Sequence, residues 1–292
     1  MISTDSPTVS DKRGDPLRWV AVSLITGIPF LFVYWFVITR LVAQWLDDPN
    51  YTHGLFVVPM ALVLAWRRRE ITAATARVPS WTGLVLLAVA GALYLTGILA
   101  AELFTMRFSM FVAIAGITAS TQGWGRARAL AFPLLFLLLM IPLPYVIYYK
   151  LTFPLQLESS KLTASLLSGL GMPVVRSGNV INLEGYSLEV VTACSGLRSM
   201  MSLGTLAVFM TDFFRFGARG NIALVAMAIP VAVIANTVRL LLTAIVSAVS
   251  GAEAADSFLH GLSGVVVFLS GLALLAASGG VIEWIAKRKS SS

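Results

Sequence analysis

Runs of about twenty apolar residues recur along this chain, each long enough to cross a bilayer as a helix. With 58% hydrophobic and 12% charged residues, its 292 residues hold far more apolar surface than one soluble core could bury. The pattern predicts an all-α polytopic membrane protein of about eight transmembrane helices, at residues 17–39, 54–66, 81–99, 106–120, 129–149, 196–214, 222–250 and 260–285. The second and fourth runs are short, and reach membrane length by recruiting flanking residues or by tilting. A polar tail precedes the first run, where a secretory signal would have a short apolar stretch and a small-residue cleavage site, so the first span is expected to stay in place. No fixed-period repeat is apparent. The expected organisation is a tail over 1–16, one integral membrane domain over 17–286 and a second tail over 287–292.

The net charge of +7 does not point to nucleic acid, because the basic residues lie in short clusters between apolar runs. Fourteen of the 21 Lys and Arg residues fall on the side where the chain starts: Lys12, Arg13 and Arg18; Arg67, Arg68, Arg69 and Arg77; Arg126 and Arg128; Arg215 and Arg219; Lys287, Arg288 and Lys289. By the positive-inside rule both termini are cytoplasmic, and residues 42–53, 100–105, 150–193 and 251–259 form outer loops.

Only the third outer loop is long. Over 150–171 apolar residues recur at helical spacing among Gln156, Glu158, Ser159, Ser160 and Lys161, which predicts an amphipathic helix at the outer interface. Residues 174–191 are rich in Val, Ile and Leu and alternate in part. They predict a short β-hairpin turning at Glu184-Gly185, just before the sixth span, with an edge to which an extended peptide can add as a strand.

The chain has a single cysteine, Cys194, which excludes an intramolecular disulfide and leaves either an inert packing residue or a reactive thiol. It enters the sixth span from outside. Arg198 follows four residues later on the same helical face, and helix amides together with a nearby cation favour thiolate. Arg239 sits inside the outer half of the seventh span, where a guanidinium costs several kcal/mol unless a partner or a wet cavity compensates it. Asn236, three residues earlier, shares its face. His260 opens the eighth span at the level of Cys194, and His53 opens the second on the same side. A nucleophile, a base and an anion clamp near one membrane surface are the minimum for thiol-based acyl transfer, with His53 as rival base or supporting residue. Glu102 and Arg107 bracket a short outer loop and read as a pair. Two histidines and one cysteine argue against a transition-metal site, no phosphate-cradling glycine loop is present, and no cofactor is expected.

The run Ala193-Cys194-Ser195-Gly196-Leu197-Arg198-Ser199, followed by Asn236-Thr237-Val238-Arg239 and then His260-Gly261, resembles the exosortase/archaeosortase family. So do Tyr51-Thr52-His53-Gly54 and the later Trp66-Arg67-Arg68-Arg69, and the resemblance extends from about residue 47 to about residue 268. It implies a cell inner-membrane cysteine peptidase or transpeptidase acting on exported proteins that end in a short motif, typically Pro-Glu-Pro, a transmembrane helix and a basic tail. Cys194 would be the nucleophile, Arg239 the arginine of the catalytic set and His260 the base, with Arg198 a neighbouring functional residue. The acyl-enzyme would pass to water or to a lipid or polysaccharide acceptor.

Two other readings compete. A non-enzymatic component of exopolysaccharide or lipid-linked glycan export would explain a buried Arg239 equally well, without needing Cys194. A small-solute transporter would need inverted repeats and matched helix breaks; Pro230 in the seventh span has no counterpart in another half, and Pro142 and Pro144 in the fifth do not echo it.

Overall fold

The computed structural model describes residues 16–190, 196–214, 216–260 and 263–290. Helix α1 (Pro16–Asp47) leads through a tight turn into α2 (Gly54–Arg67) and the short α3 (Arg69–Ala74). Helices α4 (Thr82–Leu99) and α5 (Leu103–Gln122) form an antiparallel pair, followed by α6 (Trp124–Ala129) and α7 (Ala131–Phe136), which runs on as a 3-10 turn over Leu137–Met140. Then come α8 (Tyr145–Gly169), strands β1 (Val174–Ser177), β2 (Val180–Leu183) and β3 (Tyr186–Glu189), and helices α9 (Gly196–Met210), α10 (Gly217–Ser250), α11 (Ala252–His260) and α12 (Ser263–Ser290).

The molecule is a polytopic helical membrane protein. Among the described residues five helices have crossing length and apolarity: Leu24–Asp47 of α1, α4, α5, α10 and Phe268–Ile285 of α12. A sixth crossing counts only if Ala131–Met140 and α8 are taken as one bent span, while α2 and Met200–Met210 are shorter apolar helices. The fourth expected span gains length at both ends. Glu102 caps α5 by accepting from the Phe104 and Thr105 amides at 2.9 and 2.6 Å, and Gly123, at φ 87°, ends it. Close α4–α5 packing needs small residues: a Cβ on Gly83 would strike the Ser120 backbone.

The largest departure lies in the expected fifth span. Pro142 and Pro144 leave 141–144 without helix, because proline donates no amide hydrogen and restricts the residue before it. The chain turns by 95° there, so α8 starts at Tyr145 and takes in residues expected to finish the span. Its buried face carries a polar stripe, Gln156, Ser159, Ser160 and Thr163, beside Leu167, while Leu151, Leu162 and Leu166 are exposed together with Glu158 and Lys161. The buried stripe rests against the β-sheet and α10, with Ser160 Oγ donating to the Gly178 carbonyl at 3.1 Å.

The sheet has one strand more than the expected hairpin. Its order is β1-β2-β3, antiparallel throughout, with Ser177 opposite Val180 and Leu183 opposite Tyr186. Each two-residue turn places its left-handed position on glycine, Gly178 at φ 63° and Gly185 at φ 75°. Ile181, Leu188 and Val190 turn inward onto Leu167 of α8 and onto Leu240 and Ala244 of α10. The segment 251–259, expected as a loop, is mostly helical, so His260 closes α11 and the last long helix starts at Ser263.

Candidate active site

Helices α9, α10 and α12 form a packed trio whose register places the predicted site residues. Ala207 of α9 packs with Leu224 and Ala228 of α10 and Leu275 of α12, while one turn earlier Leu203 packs with Val231 and Ala232, and Phe268 joins them. Thus α10 runs antiparallel to α9, and α12 runs parallel to it. Seven residues back from Leu203 is Gly196, the first residue of α9; seven forward from Ala232 is Arg239. Arg239 is therefore level with the start of α9. It is half-buried, its carbonyl accepts from Thr243 Oγ1 at 2.9 Å, and the next residue, Leu240, packs under the sheet. Asn236, one turn earlier, is 3% exposed.

His260 ends α11, eight residues before Phe268 in the chain, and α11 packs on both α10 and α12. Arg198 lies in the first turn of α9. The side chains of His260 and Arg198 are outside the described residues, as is the whole of Cys194, two positions before α9 in sequence.

His53 stands across from this trio. It occupies the residue before α2, is 8% exposed, and its Nδ1 makes no hydrogen bond among the described residues. Burial lowers its pKa below the ordinary 6.5, against the opposite pull of the Leu139 and Asn50 carbonyls, so the imidazole is neutral at pH 7. Tyr51 packs beside it, ring centroids 6.4 Å apart, and contacts Tyr148 of α8 at 5.7 Å. Burial, reinforced by the Asp48 carboxylate, pushes the Tyr51 hydroxyl up to about 12, with Arg107 pulling the other way. Arg107 is 3% exposed. It makes no direct salt bridge with Glu102 among the described residues, but its charge acts on that carboxylate, which also caps α5. Burial opposes ionisation of Glu102, yet the hydrogen bonds from Thr105 and Phe104 and the Arg107 charge hold its carboxyl below the usual range.

A cavity of about 440 Å³ separates the two sides. His53, Thr52, Phe56, Pro59 and Met60 line it from α2 and the turn before it, Ser202, Thr205 and Leu206 from α9, and Phe268 from α12. The wall is mainly apolar, with Thr52, His53, Ser202 and Thr205 as its polar points. Ser202 and Leu206 lie four and eight residues beyond Arg198, so the cavity follows the helical face on which Cys194 and Arg198 fall by sequence spacing. That spacing is present in the sequence, but Ser202 and Thr205 carry no signal of their own there, because hydroxyls within an apolar run read as ordinary packing. Beyond the cavity the two walls are tied together: Asp212, just past α9, takes Arg67 Nε at 2.8 Å and Arg68 at 2.5 Å, and Arg67 lies over the Phe213 ring at 4.2 Å.

No group of three or more His, Cys, Asp or Glu side chains capable of holding a metal occurs among the described residues. No curated protein and no solved structure matches the chain. The family model described as transmembrane exosortase matches residues 45–277, which include α2, the sheet, α9, α10 and the first half of α12. A match over so much of the sequence settles the family: the chain belongs to the transmembrane exosortases.

Proposed function

We infer that this exosortase is a membrane-embedded cysteine peptidase and transpeptidase. It removes the C-terminal sorting signal of exported proteins on the outer face of the membrane, with both of its own termini in the cytoplasm. The Cys194 thiolate attacks the scissile carbonyl, forming a C–S bond, and Arg239 with Arg198 balances the oxyanion. Collapse of this intermediate breaks the C–N bond, and His260 protonates the departing amine. The thioester then passes to a hydroxyl or amine of a lipid or polysaccharide acceptor, or to water, and the thiolate is regenerated. Asn236 and His53 support the site from opposite sides.

The observation that carries this reading is the cavity between α2, α9 and α12, an apolar slot with polar points on the helix that Cys194 precedes. A substrate held by its own last helix needs such a slot to bring its preceding motif to the nucleophile. Strand β3 adds support, since it has β2 on one side only among the described residues and offers an edge to an extended peptide.

The test is co-expression with an exported reporter ending in a Pro-Glu-Pro motif, an apolar helix and a basic tail, comparing wild type with Cys194→Ala by reporter mass. Loss of the C-terminal helix with wild type alone is expected, and the residual mass identifies water or another acceptor. If this reporter and sorting-signal proteins from the same genome all stay intact, the non-enzymatic export reading replaces this one.

A further inference from the structure

Thr118 of α5 and Thr237 and Thr243 of α10 show how a hydroxyl is satisfied inside an apolar helix: each donates to the carbonyl four residues back, at 2.8, 2.9 and 2.9 Å. Ser202 and Thr205 differ from them. They lie in Met200–Met210, the short apolar stretch of α9, and neither makes a hydrogen bond among the described residues. Thr205 is 5% exposed, and both line the 440 Å³ cavity. A hydroxyl left unpaired in an apolar wall is costly unless an occupant of the cavity pairs with it.

The spacing of the two identifies that occupant. Three residues apart, they share one face of α9 and stand about 4.5 Å apart along its axis. An extended chain brings a new N–H and C=O about every 3.3 Å, so neighbouring residues of such a chain reach both hydroxyls, each of which can donate to a carbonyl and accept from an amide. A helix offers them little, because its own amides and carbonyls are already paired. Nor does a helix fit inside. The lining residues run from Thr52 to Met60, about 12 Å of α2, and 440 Å³ spread over that length is narrower than the roughly 10–12 Å of a helix with its side chains.

We propose that the slot takes the first residues of the substrate's C-terminal apolar segment unwound, with Ser202 and Thr205 as the specificity-determining hydroxyls that bind its backbone, and Phe56, Leu206 and Phe268 receiving its side chains. This rests on the reading of the chain as a peptidase of sorting signals. Ser202 lies about 9 Å beyond Gly196 at the start of α9, a distance that about three extended residues span. With cleavage at that start, the stretch in the slot is the one directly after the scissile bond, and signals whose helix begins weakly are the better substrates.

The test uses full-length protein in nanodiscs and two reporters with the same motif and basic tail, whose first four apolar residues are either all leucine or two leucines alternating with two glycines. Cleavage of the glycine reporter should be about tenfold faster in kcat/KM, because glycine weakens the helix that has to open. Ser202→Ala combined with Thr205→Val should lower kcat/KM on the leucine reporter about tenfold, the loss of two neutral hydrogen bonds, and Thr205→Ser should restore most of what Thr205→Val alone removes. In Cys194→Ala protein, an isotope-labelled carbonyl in the same stretch of the bound, uncleaved leucine reporter should give an extended amide I band. A helical band there, or equal cleavage of the two reporters, overturns the proposal. These two readouts need no hydroxyl variant, so they decide even where the double variant misfolds. If wild type cleaves neither reporter, the peptidase reading fails and the labelled carbonyl alone decides: an extended band upholds the slot, and a helical band or no binding rejects it.

Discussion

The Trp45 indole donates from Nε1 to the Met140 carbonyl at 3.0 Å, joining the end of α1 to the last residue before the proline bend. The same ring covers Gly54, where a Cβ would overlap the indole. One side chain thus fixes α1, the start of α2 and the bend together. Gly54→Ala should cost about 1–3 kcal/mol through overpacking. Trp45→Phe, which leaves the Met140 carbonyl unpaired, should cost about 1–3 kcal/mol. Thermal unfolding in detergent measures both, and an unchanged midpoint for Gly54→Ala would show that the indole moves aside freely.

Asp212→Asn removes the charge that Arg67 and Arg68 share. Arg67 is 42% exposed and Arg68 25%, so screening discounts the loss to about 1–2 kcal/mol, well below the cost of breaking a fully buried pair. Because this contact ties α2 to the end of α9, the two walls of the cavity, a thiol-reactive probe on Met60→Cys in a Cys194→Ala background should react faster in Asp212→Asn. No change in labelling would mean that packing, not charge, holds the helices there.

His53 makes stability depend on pH. Its folded pKa lies below the unfolded 6.5, so below that pH the unfolded chain binds a proton that the native chain refuses. Its contribution is present in full above pH 6.5 and is lost as the pH falls from there to the folded value. His53→Gln should flatten the decline of the unfolding midpoint across this window, and an equally steep decline in the variant would assign it to other groups.

Ser202→Phe places a ring in the 440 Å³ cavity. Processing of a sorting-signal reporter should fall by at least tenfold while the unfolding midpoint holds or rises, since the ring fills space instead of displacing packed atoms. Full processing with the cavity filled would remove it from the substrate's path.

Arg198→Lys and Arg239→Lys separate charge from geometry. A guanidinium gripping an oxygen through two parallel hydrogen bonds is not replaced by an ammonium, whereas a simple charge role partly survives. Reporter processing with each variant distinguishes these roles, and full activity in both would remove the arginines from the chemistry.

Much of the membrane architecture was legible because hydrocarbon demands long apolar helices, and those runs stand out at α1, α4, α5, α10 and α12. That Arg239 lies late in a long apolar helix was legible too. The break at Pro142 and Pro144 was harder to read, because the residues on both sides are apolar and an uninterrupted span scores equally well. The third strand escaped because Val174–Ser177 alone shows no clear alternation; its partner is set by the two-residue turn at Gly178. The Glu102–Arg107 relation was legible as charge acting on charge, whereas the capping of α5 by Glu102 was not, since it depends on where the helix starts.

The buried polar stripe of α8 constrains the order in which the chain assembles. Gln156, Ser159, Ser160 and Thr163 have to be covered, yet the surfaces that cover them belong to the sheet and α10, which emerge later in synthesis. Until those elements are made, the stripe lacks the surfaces it rests on in the folded chain. Its docking is thus a late step, and the nascent chain completes this side of the bundle by gathering an earlier helix onto a later one.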